Sequence, residues 1–500
     1  MQDTVKQTLL ARVYDVAIET PLERAAKLSG RLGCEVYLKR EDLQPVHSFK
    51  LRGAYNKIVQ LTTDERNHGV IAASAGNHAQ GVALAAKKLG ISALIIMPRT
   101  TPNIKIEAVK SYGADVELYG DSYSEAAEHC KQRTNETGRT YIHPFDDPLV
   151  IAGQGTIGRE IVEQLPTVTH VFVPVGGGGL ISGIAQYIKA LRPDINIIAV
   201  EPTDSNVMEA SLKAGKRVVL PHVGIFADGV AVKQLGENTF RICRKLVDSC
   251  VTVNNDELCS AIKSIFEETR GIVEPAGALG VAGIIKYKAS HNIKNMQAVA
   301  ICSGANMAFE RLQFVSERTL LGSGQEALFA VEMPERPGTL RQFCEKVVSG
   351  HNITQFGYRL HERNNANVFV GISVVDQKDK DFFSAKLAKH SYIFADLSIE
   401  DTAKEHVRHM IGGAAPNAKS EHFYKIAYPE RPGALNDFLQ AISDRWNISM
   451  FHYRGQGGDS GCVLMGFEAK NKASLERALL ATGYTFECVD NAKSVGTFSM

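Results

Sequence analysis

The chain has 500 residues, 44% hydrophobic, 22% charged and 7% aromatic, with 56 basic against 55 acidic side chains and a formal net charge of +1. That balance offers no basic surface for nucleic acid, and the longest apolar runs, such as Ala93-Leu94-Ile95-Ile96-Met97, are too short to span a bilayer. One ordinary core cannot hold so many residues, so two to four domains are expected.

At the N-terminus, Met1 to Lys6 has neither an apolar signal core nor the Arg/Ser-rich character of a transit peptide. The nine cysteines are scattered and odd in number, with no CxxC spacing. They read as reduced thiols of a cytoplasmic protein, with no metal site of the zinc type. From there to about residue 320, short β-rich runs alternate with amphipathic segments. The predicted strands are Val70 to Ala73, Ala93 to Met97, Asp115 to Leu118, Val171 to Val175, Ile197 to Val200 and Ala298 to Ile301. Helices are predicted over Ala79 to Leu89, Ser122 to Arg133, Leu180 to Leu191 and Glu257 to Thr269, from apolar residues at three- and four-residue spacing. This alternation argues for α/β structure in two lobes with parallel sheets, and a cleft between lobes is the default ligand site.

Four stretches of this region carry chemistry. His47-Ser48-Phe49-Lys50-Leu51-Arg52-Gly53-Ala54 places Lys50 near a helix start. A desolvated lysine amine there can form a Schiff base with an aldehyde. Ser74-Ala75-Gly76-Asn77-His78 follows a strand and opens a helix, so its free N–H groups suit a carboxylate and Asn77 can reach a ring hydroxyl. A plain N-cap loop would use the same residues. Gly176-Gly177-Gly178-Gly179-Leu180 joins a strand to a helix. It lacks the lysine of a Walker loop and the third glycine of a dinucleotide loop, so it fits a single phosphate, or a tight turn. Ser303, at the end of the Ala298 strand, could set a neutral hydroxyl against a pyridine nitrogen, or simply bond to backbone. A neutral partner there favours elimination over reactions that need a long-lived carbanion.

The character of the chain changes at Gly322-Ser323-Gly324. Beyond it Pro334-Glu335-Arg336-Pro337-Gly338 returns as Pro429-Glu430-Arg431-Pro432-Gly433, 95 residues on. His351-Asn352-Ile353 to Arg359 returns as Trp446-Asn447-Ile448 to Arg454 at the same offset of 95. Each copy reads strand, helix, strand, strand, helix, strand, the ferredoxin-like βαββαβ order. In the first copy these are Leu328 to Met333, Thr339 to Val348, Ile353 to Arg359, Val368 to Val374, Lys380 to Lys389 and a closing run near Ile393. Gly412-Gly413-Ala414-Ala415-Pro416 reads as the linker between copies. Neither copy carries a catalytic constellation, so both read as small ligand-sensing modules, or as a duplicated oligomerisation module that binds no ligand.

Taken together, Ser48 to Ala54, Ser74 to His78, the tetraglycine loop and Ser303-Gly304 resemble the fold-type II pyridoxal-phosphate enzymes, and among them the threonine dehydratases. The tail resembles the paired ACT-like regulatory domains of the biosynthetic members. The resemblance implies a two-lobed catalytic domain over 1–321 and ACT-like domains over 326–400 and 421–495. It implies pyridoxal 5'-phosphate as cofactor, with Lys50 as Schiff-base lysine and Cα base and Asn77 on the ring hydroxyl. Gly176, Gly177, Gly178, Gly179 and Leu180 would hold the phosphate, and Ser303 the ring nitrogen. Ser74, Ala75, Gly76, Asn77 and His78 would hold the substrate carboxylate. The implied reaction is β-elimination of L-threonine to 2-oxobutanoate and ammonia, the first step of isoleucine biosynthesis, with serine as a poorer substrate. Isoleucine would inhibit and valine oppose it through the tail, with Tyr358 and Tyr453 as effector-site candidates, in a homotetramer. A serine racemase and a catabolic serine/threonine dehydratase share the fold. Racemases of this family carry a serine where this chain has Ala75, which cannot exchange a proton, and the duplicated tail argues against a catabolic enzyme. A chain whose lobes are degenerate and only sense amino acids would not need Lys50, Asn77 and Ser303 together.

Overall fold

The computed structural model describes residues 2–334 (without 292 and 294), 342–360, 365–405, 420–429, 438, 441–442, 445–454 and 460–491. They form two compact units, Met1–Phe309 and Glu310–Met500.

In the first unit the strands are β1 (Leu22–Arg24), β2 (Glu35–Arg40), β3 (Val70–Ala73), β4 (Ala93–Met97), β5 (Asp115–Leu118), β6 (Thr140–Tyr141), β7 (His170–Pro174), β8 (Asn196–Pro202), β9 (Ser249–Val253) and β10 (Gln297–Cys302). A four-stranded sheet has the order β5-β4-β3-β6, and a six-stranded sheet the order β1-β2-β10-β7-β8-β9. Every pairing is parallel except β1 with β2. β3, β4 and β7 are buried along their whole length, as continuous apolar runs in a doubly covered sheet should be. The helices between them start where the sequence supplies a cap. Ser122 and Glu125 form a reciprocal capping box before Tyr123–Thr137, and Asn254 and Glu257 do the same before Asn255–Thr269.

Several elements escaped the periodicity. β2 reads Glu-Val-Tyr-Leu-Lys-Arg, too charged for an interior strand, yet Lys39 and Arg40 are both buried. The helix Pro275–Ser290 has no apolar face because its first ten residues are buried on all sides. Lys39 belongs to a buried charge cluster. Its Nζ lies 2.6 Å from Glu160 Oε2. Arg52 binds both oxygens of Glu41 at 2.9 and 2.8 Å and pairs with Glu160 as well. Tyr14 donates to Glu160 at 2.8 Å and Thr20 to Glu41 at 2.6 Å. Two cations and two anions thus balance inside the unit, and they tie the helix Lys50–Ile58 to the end of β2 and to the helix Pro148–Gln164.

The second unit begins with the helix Arg311–Gly322 and contains two four-stranded antiparallel sheets. In the first, β11 (Glu326–Pro334), β12 (Ile353–Leu360), β13 (Asn365–Ser373) and β14 (Ile393–Asp396) take the order β12-β13-β11-β14. In the second, β15 (Glu421–Pro429), β16 (Asn447–Arg454), β17 (Ser460–Glu468) and β18 (Phe486–Cys488) take the order β16-β17-β15-β18. This is the ferredoxin-like arrangement read from the repeat. The offset survives in fine detail: the register slips between Ile353 and Gln355 in one copy and between Ile448 and Met450 in the other. The cores correspond too, with Phe329 and Tyr424, and Phe343 and Phe438, fully buried. Residues 335–338 and 430–433 of the Pro-Gly motifs, the start of the helix expected at Thr339, and the linker Gly412 to Pro416 lie outside the described residues. Tyr358 and Tyr453 fall in β12 and β16, but their side chains are also outside the described set. No described helix is long and apolar enough to cross a membrane.

Candidate active site

Lys50, Ser74 to His78, the tetraglycine loop and Ser303 all follow carboxyl ends of strands or open helices of the first unit, where open α/β sheets collect ligands. Ser303 directly follows β10. The segment before Lys50 crosses this end as a single antiparallel bridge, Ser48 to Gly304. Phe49 N–H donates to Ser303 O at 3.2 Å and Ala305 N–H to His47 O at 2.9 Å. The bridge delivers Lys50 as the first residue of its helix, where the sequence places it near a helix start. Its Nζ donates to the carbonyl of Pro144 at 2.9 Å. Burial lowers the amine's pKa to about 8, and the carboxylate of Glu274 works against that shift.

Asn77 is the first residue of the helix Asn77–Leu89 that follows β3. Ser74 Oγ accepts from Gly76 N–H at 3.2 Å, which closes the small turn in front of it. Ala75 sits half-buried in that turn. His78 is buried, and its Nε2 donates to Ile142 O at 2.8 Å. Burial, and then the nearby charge of Lys50, push its pKa down to about 3, so the ring is neutral. His78 Nδ1 and the buried hydroxyl of Ser48 have no hydrogen-bond partner among the described residues. Ser303 Oγ donates to Ala276 O at 3.4 Å, a long contact that leaves the hydroxyl free to turn.

The glycine loop runs from β7 into the helix Gly179–Leu191. Among the described residues, no acceptor faces the amides of Gly176, Gly177, Gly178, Gly179 or Leu180. They form an N-terminal anion cradle of the kind a phosphate fills. The cradle's floor is Phe145. A Cβ on Gly177 would come within 2.2 Å of that ring. Gly177→Ala is therefore expected to displace Phe145 and cost about 1–3 kcal/mol, as overpacking does. A lowered melting temperature would show it, and an unchanged one would mean that the ring yields freely.

Sequence reading missed the segment that joins these parts. Ile142 to Asp147 follows the two-residue strand β6. Ile142 receives His78, Pro144 receives Lys50, and Phe145 lies against the glycine loop. His143 Nδ1 accepts from the amides of Phe145 and Asp146 at 3.1 and 2.7 Å, which folds the segment into a turn. Asp146 accepts from the amides of Glu237 and Thr239 at 2.9 and 3.1 Å, and Thr239 Oγ1 donates to Gly177 O at 2.7 Å. The dipeptides His-Pro and Asp-Pro in His143-Pro144-Phe145-Asp146-Asp147-Pro148 mark a turn, the only signal available beforehand. Glu274 was also missed, a carboxylate beside Asn77 from 197 residues away.

The half-buried amine, the unpaired amides and the two unpaired polar atoms fit a phosphorylated aldehyde held at Lys50. They show no ion site: among the described residues, no group of three or more His, Cys, Asp or Glu is placed to hold a metal.

Comparison with known proteins agrees. A family profile described as pyridoxal-phosphate dependent enzyme matches residues 13–304. A second, the C-terminal regulatory domain of threonine dehydratase, matches twice, at 317–407 and 412–498. The chain is 49% identical over 490 residues to a biosynthetic L-threonine dehydratase, IlvA, of Burkholderia multivorans, covering 97% of this chain and 96% of that one. Among solved structures it resembles the processed threonine deaminase isoform 2 of Solanum lycopersicum, at 52% identity and a TM-score of 0.63, over 63% of this chain and 92% of that one. It also resembles maize serine racemase, at 35% identity and a TM-score of 0.59, over 64% and 97% of the two chains.

Proposed function

The chain belongs to the pyridoxal-phosphate-dependent enzymes and, within them, to the biosynthetic threonine dehydratases with a C-terminal regulatory region, and from that premise we propose how its residues divide the work. The observation that carries the reading is the desolvated Lys50 amine, held by the carbonyl of Pro144, whose neighbour Phe145 lies against the glycine loop, in a segment tied to Ser303 by the Phe49 amide. Pyridoxal phosphate, when bound, supplies the electron sink that allows the Cα–H bond to break beside a leaving hydroxyl. Lys50 holds the cofactor and takes the Cα proton at Nζ. The amides of Gly176 to Leu180 hold the phosphate, and Asn77 donates to the ring oxygen. Ser303 meets the ring nitrogen without a charge, which favours elimination. The turn Ser74 to His78 holds the substrate carboxylate through the N–H groups at the start of its helix. Ala75 offers no proton to the opposite face of Cα, which sets this site apart from a racemase.

The products are 2-oxobutanoate and ammonia in equal amounts, with serine a slower substrate giving pyruvate. We place the catalytic domain over 1–321 and the two ACT-like domains over 326–400 and 421–495, in a cytoplasmic homotetramer. Isoleucine binds the tail and inhibits, and valine opposes it, with Tyr358 and Tyr453 in the effector sites. The duplicated sheets and the two matches to the regulatory-domain family supply the support. Threonine titrations test this. Isoleucine should raise the half-saturating threonine concentration of the full chain severalfold, while a chain ending after Leu321 turns over threonine and ignores isoleucine. A full chain that makes no oxoacid, or a shortened one still inhibited, would contradict the reading.

A further inference from the structure

Asn77 can perform its proposed task only if its amide faces the correct way, and two other side chains decide that. Its Nδ2 donates to Glu274 Oε1 at 2.7 Å, and its Oδ1 accepts from Asn306 Nδ2, also at 2.7 Å. A carboxylate can only accept, so the orientation is unambiguous. Asn306 is itself fixed, since its Nδ2 also donates to Val46 O at 2.7 Å. Glu274 is buried, with its own N–H donating to Gly304 O at 3.1 Å. Space for this arrangement exists because residue 304 is a glycine. A Cβ there would lie 2.7 Å from Glu274 Oε1 and 3.1 Å from Asn77 Nδ2.

We infer that Glu274 is a positioning residue for the reaction: with Asn306 it locks the Asn77 amide so that the second Nδ2–H is presented to the cofactor's ring oxygen, and its negative charge bears on Lys50. The inference rests on the cofactor reading of Lys50 and Asn77 given above. The neighbouring imidazoles do not offset this negative charge. His78 is held neutral by burial, and burial lowers the pKa of His143 as well. Glu274 is the anion whose field bears on the Lys50 nitrogen.

The two contributions separate in the holoenzyme. Glu274→Gln keeps an oxygen that can accept from Asn77 but removes the charge. Glu274→Ala removes both, and Asn306→Ala removes only the second anchor of the amide. The readouts are the midpoint of the visible cofactor band against pH and the cofactor dissociation constant. An anion favours the protonated form, so Glu274→Gln should lower the midpoint by about one unit with little change in cofactor affinity. Asn306→Ala should leave the midpoint in place and weaken cofactor binding about tenfold, the effect of one good hydrogen bond. Glu274→Ala should show both changes. If the wild-type protein has no visible band that borohydride fixes to Lys50, the cofactor reading itself fails. If that band is present and both Glu274 variants titrate and bind cofactor as the wild type does, the role assigned to Glu274 is overturned.

Discussion

Lys50→Ala should lose threonine turnover by about a thousandfold or more, because the proposed assignment makes one side chain both cofactor anchor and proton acceptor. The variant protein should also give no borohydride-fixed cofactor on the peptide that contains residue 50. Arginine should not rescue it, since a guanidinium stays protonated at any working pH. The depressed pKa adds a pH signature. Only the free amine attacks an aldehyde, so the rate at which cofactor-free protein recaptures added pyridoxal phosphate should rise with pH and level off above about 8. An ordinary lysine would go on accelerating to about 10.4. Stopped-flow absorbance resolves the two cases, and a plateau near 10 would remove burial as the source of the amine's reactivity.

The largest effect on stability should come from Arg52, two positions further along the same helix. Arg52→Ala leaves Glu41 buried without its main partner and strips Glu160 of one of its two cations. Breaking a buried pair from one side costs about 3–5 kcal/mol, because the remaining charge can be neither solvated nor paired. The melting midpoint of the holoenzyme, followed by the cofactor band, should fall by several degrees. Arg52→Lys should fall between, since one ammonium cannot bridge two carboxylates as a guanidinium does. An Arg52→Ala protein that melts with the wild type would mean that the cluster reorganises or admits water. Cofactor affinity should fall in parallel, because the same helix begins with Lys50.

How far the sequence was readable depends on where its signals come from. β3, β4 and β5 carry the bounds read beforehand, because an apolar run (β3, β4) or a polar–apolar alternation (β5) between polar turns is a local signal. The duplicated tail was legible down to its strand order, because an internal repeat supplies its own comparison. β2 was hidden by Lys39 and Arg40, whose burial makes sense only once Glu160 and Asp42 are beside them. The site divides in the same way. Lys50 and the glycine loop announce their chemistry within a few residues. Glu274 and Pro144 contribute through one carboxylate and one carbonyl brought from far along the chain, and no local pattern marks either.

The turn Ile142 to Asp147 has a consequence for anyone redesigning this enzyme. One side of it is anchored to a strand only two residues long, and the other to the floor of the phosphate cradle. Within six residues it accepts from the Lys50 amine and from His78 and lies against the glycine loop. A library that varies Phe145 to widen the substrate range would therefore be selecting on cofactor retention at the same time.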